Sequence, residues 1–162
     1  MIRRDFRGTI TVGARSMERR RRANVRAKLR LFGFGDIRTL YTGIGPNRRL
    51  LGRTTSELGA AGQGRVRTSI SGGAALRAVR PSSLLLPAQI GGRLRGGERG
   101  AKRDIAVAVN GRIEAVGRTF YLRGDRRESF AVNVPEASLR PGRNTVEVFQ
   151  VSRGRLTLIG RA

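Results

Sequence analysis

The chain contains no histidine and no cysteine. Without histidine it cannot build a Ser-His-Asp or Cys-His catalytic constellation, and the commonest protein ligand for zinc and iron is missing. Without cysteine there is no disulfide framework, no thiolate nucleophile and no thiolate metal site, a pattern compatible with any compartment. Tryptophan is absent too, and six phenylalanines and two tyrosines are the whole aromatic complement of 162 residues. A core must therefore come from Val, Ile, Leu and Ala. No apolar run reaches the roughly 18 residues that a membrane-crossing helix needs. The N-terminal string MIRRDFRGTITVGARSMERRRR lacks an apolar core of signal-peptide length. Taken alone, the polypeptide is expected to stay in the cytoplasm.

Charge of one sign is in short supply: 11 acidic residues face 34 basic ones, for a formal net charge of +23. Such a surface adheres to polyanions at low salt. Only Lys28 and Lys102 are lysines, and arginine, glycine and alanine are all abundant. GC-rich codons produce that same bias, so part of the charge has a compositional origin.

The clearest structural signal runs from Asp104 to Val151. Ile105, Val107 and Val109 alternate with Ala106 and Ala108, the period of a half-buried strand. Asn110-Gly111 follows, the pair best suited to φ > 0 at both centres of a tight hairpin. Phe130, Val132 and Val134 alternate again until Pro135, which has no N–H for a ladder. Pro141-Gly142 marks a turn, and Val146, Val148, Phe149 and Val151 carry a further strand. Shorter candidate strands lie at 66–71, 76–79, 84–94, 119–122 and 156–159. Their spacing suits an antiparallel β-sandwich, immunoglobulin-like or jelly-roll-like, better than a parallel sheet with crossover helices.

Ahead of this region, residues 2 to 12 read as a strand, with Phe6, Ile10 and Val12 as its apolar members. Ser16 is placed to cap a helix over 17–32, on which Val25, Leu29 and Phe32 share one face. Gly33 and Gly35 end it. Pro46 opens a turn before the apolar pair Leu50-Leu51, and Gly59, Gly62 and Gly64 make a loop of the stretch that follows. This divides the chain into an N-terminal segment, 1–58, and a β-domain, 59–162.

Chemistry-bearing groups are sparse. Asp104, Asp125 and Glu128 are the nearest approach to a carboxylate cluster, and the arginines around them point to surface ion pairs. No catalytic, metal or cofactor residue is assigned. Arg19, Arg20, Arg21 and Arg22 read as a solvated charged face or, functionally, as an anion contact for phosphate or lipid headgroups. Tyr41 and Tyr121 are the candidates for stacking on a sugar or base. Beside Tyr121, Phe120 is expected in the core, leaving the tyrosine exposed.

Two resemblances bear on function. The strings VAVNGRIEAVGRTF and SFAVNVPEASLRPGRNTVEV resemble the closing strands of extracytoplasmic β-sandwich modules, with Leu139 at the end of the core and Asn144 capping the last turn. More broadly, L-F-G-x-G, L-Y-x-x-x-G-P-x-x-x-L-L-G-R and the two strings above resemble the C-terminal portion of membrane-anchored sulfatase-like hydrolases of the alkaline phosphatase superfamily. That resemblance implies a non-catalytic accessory β-domain, structural or substrate-positioning, with residues 1–58 as the tail of a catalytic domain. It implies an upstream hydrolase domain as partner and a position on the extracytoplasmic face of the membrane. None of the family's metal ligands can be mapped onto this chain, so no enzyme activity of its own is expected. The alternatives are a basic nucleic-acid-binding protein and a carbohydrate-binding module.

Overall fold

The computed structural model describes residues 2–5, 8–11, 13–32, 46–60 and 62–162. Two compact units are present, Met1–Phe34 and Gly35–Ala162. The sequence reading divides the chain at 58/59, whereas the contacts divide it at 34/35. In the first unit, β1 (Ile2–Asp5) and β2 (Gly8–Thr11) form an antiparallel hairpin where the sequence suggests one strand. Helix α1 then runs over Ala14–Phe32. It begins earlier than the Ser16 cap predicts, the first helical bond being Met17 N–H to Gly13 O at 3.1 Å.

The second unit is mainly β, as the alternation and turn residues predict. One sheet has the order β10-β9-β5-β6 and the other β3-β4-β8-β7, all neighbours antiparallel. The strands are β3 (Arg67–Ile70), β4 (Gln89–Arg95), β5 (Asp104–Val109), β6 (Arg112–Arg118), β7 (Phe120–Tyr121), β8 (Glu128–Asn133), β9 (Val146–Ser152) and β10 (Arg155–Arg161). A core between the sheets takes Ile105, Val107, Val109, Val146, Val148 and Ile159 from one side. From the other come Ile90, Leu94, Phe130 and Val132. Leu139 is buried at its edge, as expected.

Two departures from the sequence expectation concern how the core is packed. The segment 76–79 is no strand. Gly73–Leu76 is a single helical turn, α2, and Val79 makes only an isolated bridge to Gly142. Its leucine, Leu76, is buried in the core all the same. The second concerns β5, which is covered on both faces rather than one. Ala106 and Ala108 belong to a separate apolar cluster with Ile113, Phe149 and Leu156, roofed by Leu50, Leu51 and Leu58. Leu50 sits in a 3-10 turn, Arg48–Leu50, and is almost fully buried. Burying such a side chain contributes about 1.5–3 kcal/mol.

Backbone pairing holds this roof in place. Gly52 N–H donates to Ile113 O at 2.8 Å, Ile113 N–H to Arg53 O at 2.9 Å and Thr55 N–H to Gly111 O at 2.9 Å. The stretch Gly52–Thr55 thus runs along the outer edge of β6. Gly52 takes φ +79, a conformation that favours glycine; a Cβ there would sit 3.2 Å from the movable end of the Arg112 side chain, so the dihedral rather than the space sets the preference.

Candidate functional site

Three places in the β unit gather polar or exposed apolar groups. The first is a cleft of about 380 Å³ beside the β5–β6 hairpin. Its walls include Asn110, Arg112, Glu114, Ser138 and Arg140. The hairpin is the one the sequence signals, with φ of 52° at Asn110 and 83° at Gly111. Ladder register shifts between Val107 and Ala108, so Glu114 is the unpaired residue of a β-bulge. Burial pushes the Glu114 carboxyl above its ordinary range, and the Arg112 guanidinium 3.7 Å away opposes that rise.

The Arg140 side of the cleft is held in place by Asn144. Its side-chain oxygen accepts from Arg140 N–H at 2.8 Å and from Asn110 Nδ2 at 2.9 Å, and its own Nδ2 donates to Arg140 O at 2.8 Å. These bonds fix the turn that leads into β9, the capping role expected of Asn144. The Ser138 hydroxyl donates to Pro135 O at 2.6 Å. With that hydroxyl engaged by backbone, the cleft offers two guanidinium groups and one carboxyl. Such a set can hold a small charged group. It supplies no nucleophile paired with a base.

The carboxylates singled out in the sequence do not come together. Asp125 pairs with Arg127 at 3.0 Å on the surface, and that guanidinium, through hydrogen bonding first, lowers the Asp125 pKa. Asp104 lies 3.6 Å from Arg118. Glu128, by contrast, is buried, which corrects the expectation of a surface pair. It forms an ion pair with Arg103 and accepts from the Thr119 hydroxyl at 2.6 Å. Thr119 in turn accepts from Arg103 N–H at 2.6 Å. Nothing in the chain order announces a partner 25 residues away. Among the described residues no group of three acidic side chains could hold a metal ion.

The third place differs from the sequence expectation, in which 84–94 reads as one apolar strand candidate broken by Pro87. The strand starts only at Gln89. Before it, Ser83 closes a local turn: its Oγ accepts from Leu85 N–H at 3.3 Å and lies 3.1 Å from Leu85 O as donor. Leu86 and Ala88 pack against the core. Leu84 and Leu85 are left at relative exposures of 103 % and 86 %. The two side chains together make a small exposed apolar patch, a kind of surface that a partner can cover. The available signal was the pair Pro81 and Pro87 bracketing Ser82-Ser83, turn residues that argue against a strand.

Of the named candidates, Tyr121 is half-buried; its hydroxyl donates to Ala101 O at 3.2 Å and accepts from Gly100 N–H at 3.1 Å. Phe120 is half-buried as well, rather than in the core. Tyr41 lies outside the described residues. Arg19, Arg20, Arg21 and Arg22 are all exposed on α1, Arg21 and Arg22 sharing Glu18 at 3.1 and 2.9 Å. Consecutive residues on a helix point about 100° apart, so the four do not form one patch. No helix among the described residues is long and apolar enough to cross a membrane. No family model, curated protein or solved structure matches the chain.

Proposed function

We propose that this chain is a non-catalytic accessory β-domain that docks on a neighbouring domain through the Leu84–Leu85 loop. The exposure of those two leucines carries the reading. Burying two leucine side chains against a partner is worth about 3–6 kcal/mol before the costs of association. The resemblance to sulfatase-like hydrolases names the partner: the upstream hydrolase domain, on the same polypeptide or a separate one, at the extracytoplasmic face. The strings that carry that resemblance support it further. Leu50-Leu51-Gly52-Arg53 and Val109-Asn110-Gly111-Arg112 are distant in sequence, yet they meet along the edge of β6 as one structural unit.

The DNA preceding the Met1 codon should then encode membrane spans and an Asp/His metal-binding set. Leu84→Ser/Leu85→Ser should weaken association with that hydrolase domain at least tenfold while leaving the melting temperature of this chain unchanged. Turnover of a chromogenic sulfate or phosphate ester by the isolated chain, with divalent metal supplied, would refute the reading.

A further inference from the structure

Helix α1 carries eight basic residues and one acidic one between Ala14 and Phe32. Their placement is more telling than their number. Arg15, Arg19, Arg22, Arg26 and Arg30 follow at i, i+4, i+7, i+11 and i+15, which confines them to an arc of about 80° and spreads them over about 22 Å of helix. All five are exposed. Glu18 pairs with Arg22, and among the described residues Arg15, Arg19, Arg26 and Arg30 have no acidic partner. Like charges at this spacing destabilise an isolated helix by a few tenths of a kcal/mol per pair. An external anion that tracks the helix removes that repulsion.

We infer that this stripe binds the phosphodiester backbone of a nucleic-acid strand. A guanidinium is weakly hydrated and its fork matches phosphate oxygens, so a row of arginines at regular intervals suits a linear phosphate polymer. A lipid surface fits less well. Val25 and Leu29 share a face, but it lies between Arg22 on one side and the exposed Arg21 and Lys28 on the other, too narrow a strip to enter an acyl layer. The inference rests on the helix alone and is independent of the role proposed for the β-domain.

The test uses the whole 162-residue chain and a fluorescein-labelled 20-base-pair DNA duplex, with anisotropy read across a salt series. Arg15, Arg19, Arg26 and Arg30 are changed together to Gln, which keeps helix propensity. A control changes four exposed arginines of the β unit, Arg65, Arg123, Arg126 and Arg143, to Gln, so that net charge falls equally. Far-UV circular dichroism checks that the helix persists. The stripe variant should lose at least tenfold in affinity at low salt and flatten the log K against log salt slope by roughly 3 to 4, the control by less than 1. Equal losses in the two variants, or none in the stripe variant, would overturn the inference. So would stripe-dependent binding to phosphatidylglycerol vesicles without stripe-dependent binding to DNA.

Discussion

The side-chain amides of Asn110 and Asn144 are joined at 2.9 Å, linking the turn of the β5–β6 hairpin to the loop that starts β9. Asn110 reinforces the link by accepting Thr145 N–H at 3.2 Å. Asn144 is 1 % exposed and its amide serves four bonds, to Arg140, Gly142 and Asn110. Asn144→Ala should therefore cost about 2–4 kcal/mol, since it leaves buried backbone groups without partners. Asn110→Gly, which keeps the φ of 52° without strain, should cost less, because its remaining bonds lie nearer solvent. Urea denaturation of the two variants and their double mutant measures the coupling. Additive losses would show that the amide contact is energetically silent.

Arg103 and Glu128 make a buried ion pair. Arg103→Met should destabilise by about 3–5 kcal/mol, because a carboxylate is stranded in the interior with only Thr119 to serve it. Adding Glu128→Leu to that variant should recover at least half of the loss. Thermal melts at one pH and ionic strength decide the matter.

Glu114 gives a pH dependence whose sign can be worked out. Its folded pKa is raised above the unfolded value by burial. The native state then holds the proton more tightly, and stability falls as pH rises from the unfolded pKa through the folded one. Glu114→Gln should be neutral below the ordinary glutamate range and stabilising above it, by less than about 1 kcal/mol given the exposed Arg112 partner. The difference between wild type and variant, followed by denaturant titration from pH 3.5 to 8, should open in that direction. A difference that opens the other way refutes the assignment.

Two hairpin turns share one geometry but not one sequence. Asn110-Gly111 and Arg153-Gly154 both place two residues at positive φ, with Arg153 at 49° and Gly154 at 79°. Arginine is poorly suited to that region, whereas asparagine visits it readily. Arg153→Asn should stabilise by about 0.5 kcal/mol. Gly111→Ala, where open space surrounds the new methyl, should cost about 1–2 kcal/mol through backbone conformation alone. Chemical denaturation midpoints at unchanged slope measure both.

The same pair of turns shows how far the residues themselves disclose the structure. Asn-Gly between alternating valines is a local signal and predicts the hairpin directly. Arg-Gly is not such a signal, so the β9–β10 turn is visible only in its dihedral angles. Sheet faces divide along similar lines. The alternation in β5 tells which side chains share a face, but Ala106 and Ala108 look much the same whether covered or solvated, and their cover comes from Leu50 and Leu58. At the candidate sites, exposure was hardest to read. Leu84-Leu85-Leu86 looks like an interior run, and only the Ser83 turn shows that two of the three are held outward. Charge was the reverse case: the run Arg19–Arg22 draws the eye, while the helical period selects Arg15, Arg19, Arg22, Arg26 and Arg30.

The roof over β5 and β9 also governs where this polypeptide tolerates being cut. A fragment beginning at residue 59 would shed Leu50, Leu51 and Leu58, uncovering Ala106, Ile113 and Phe149 together with the hydrogen-bonding edge of β6. Bare strand edges beside greasy surface recruit other chains. Such a truncation would clump in expression, whereas one starting at Gly35, where the β unit begins, would keep its lid and remain dispersed.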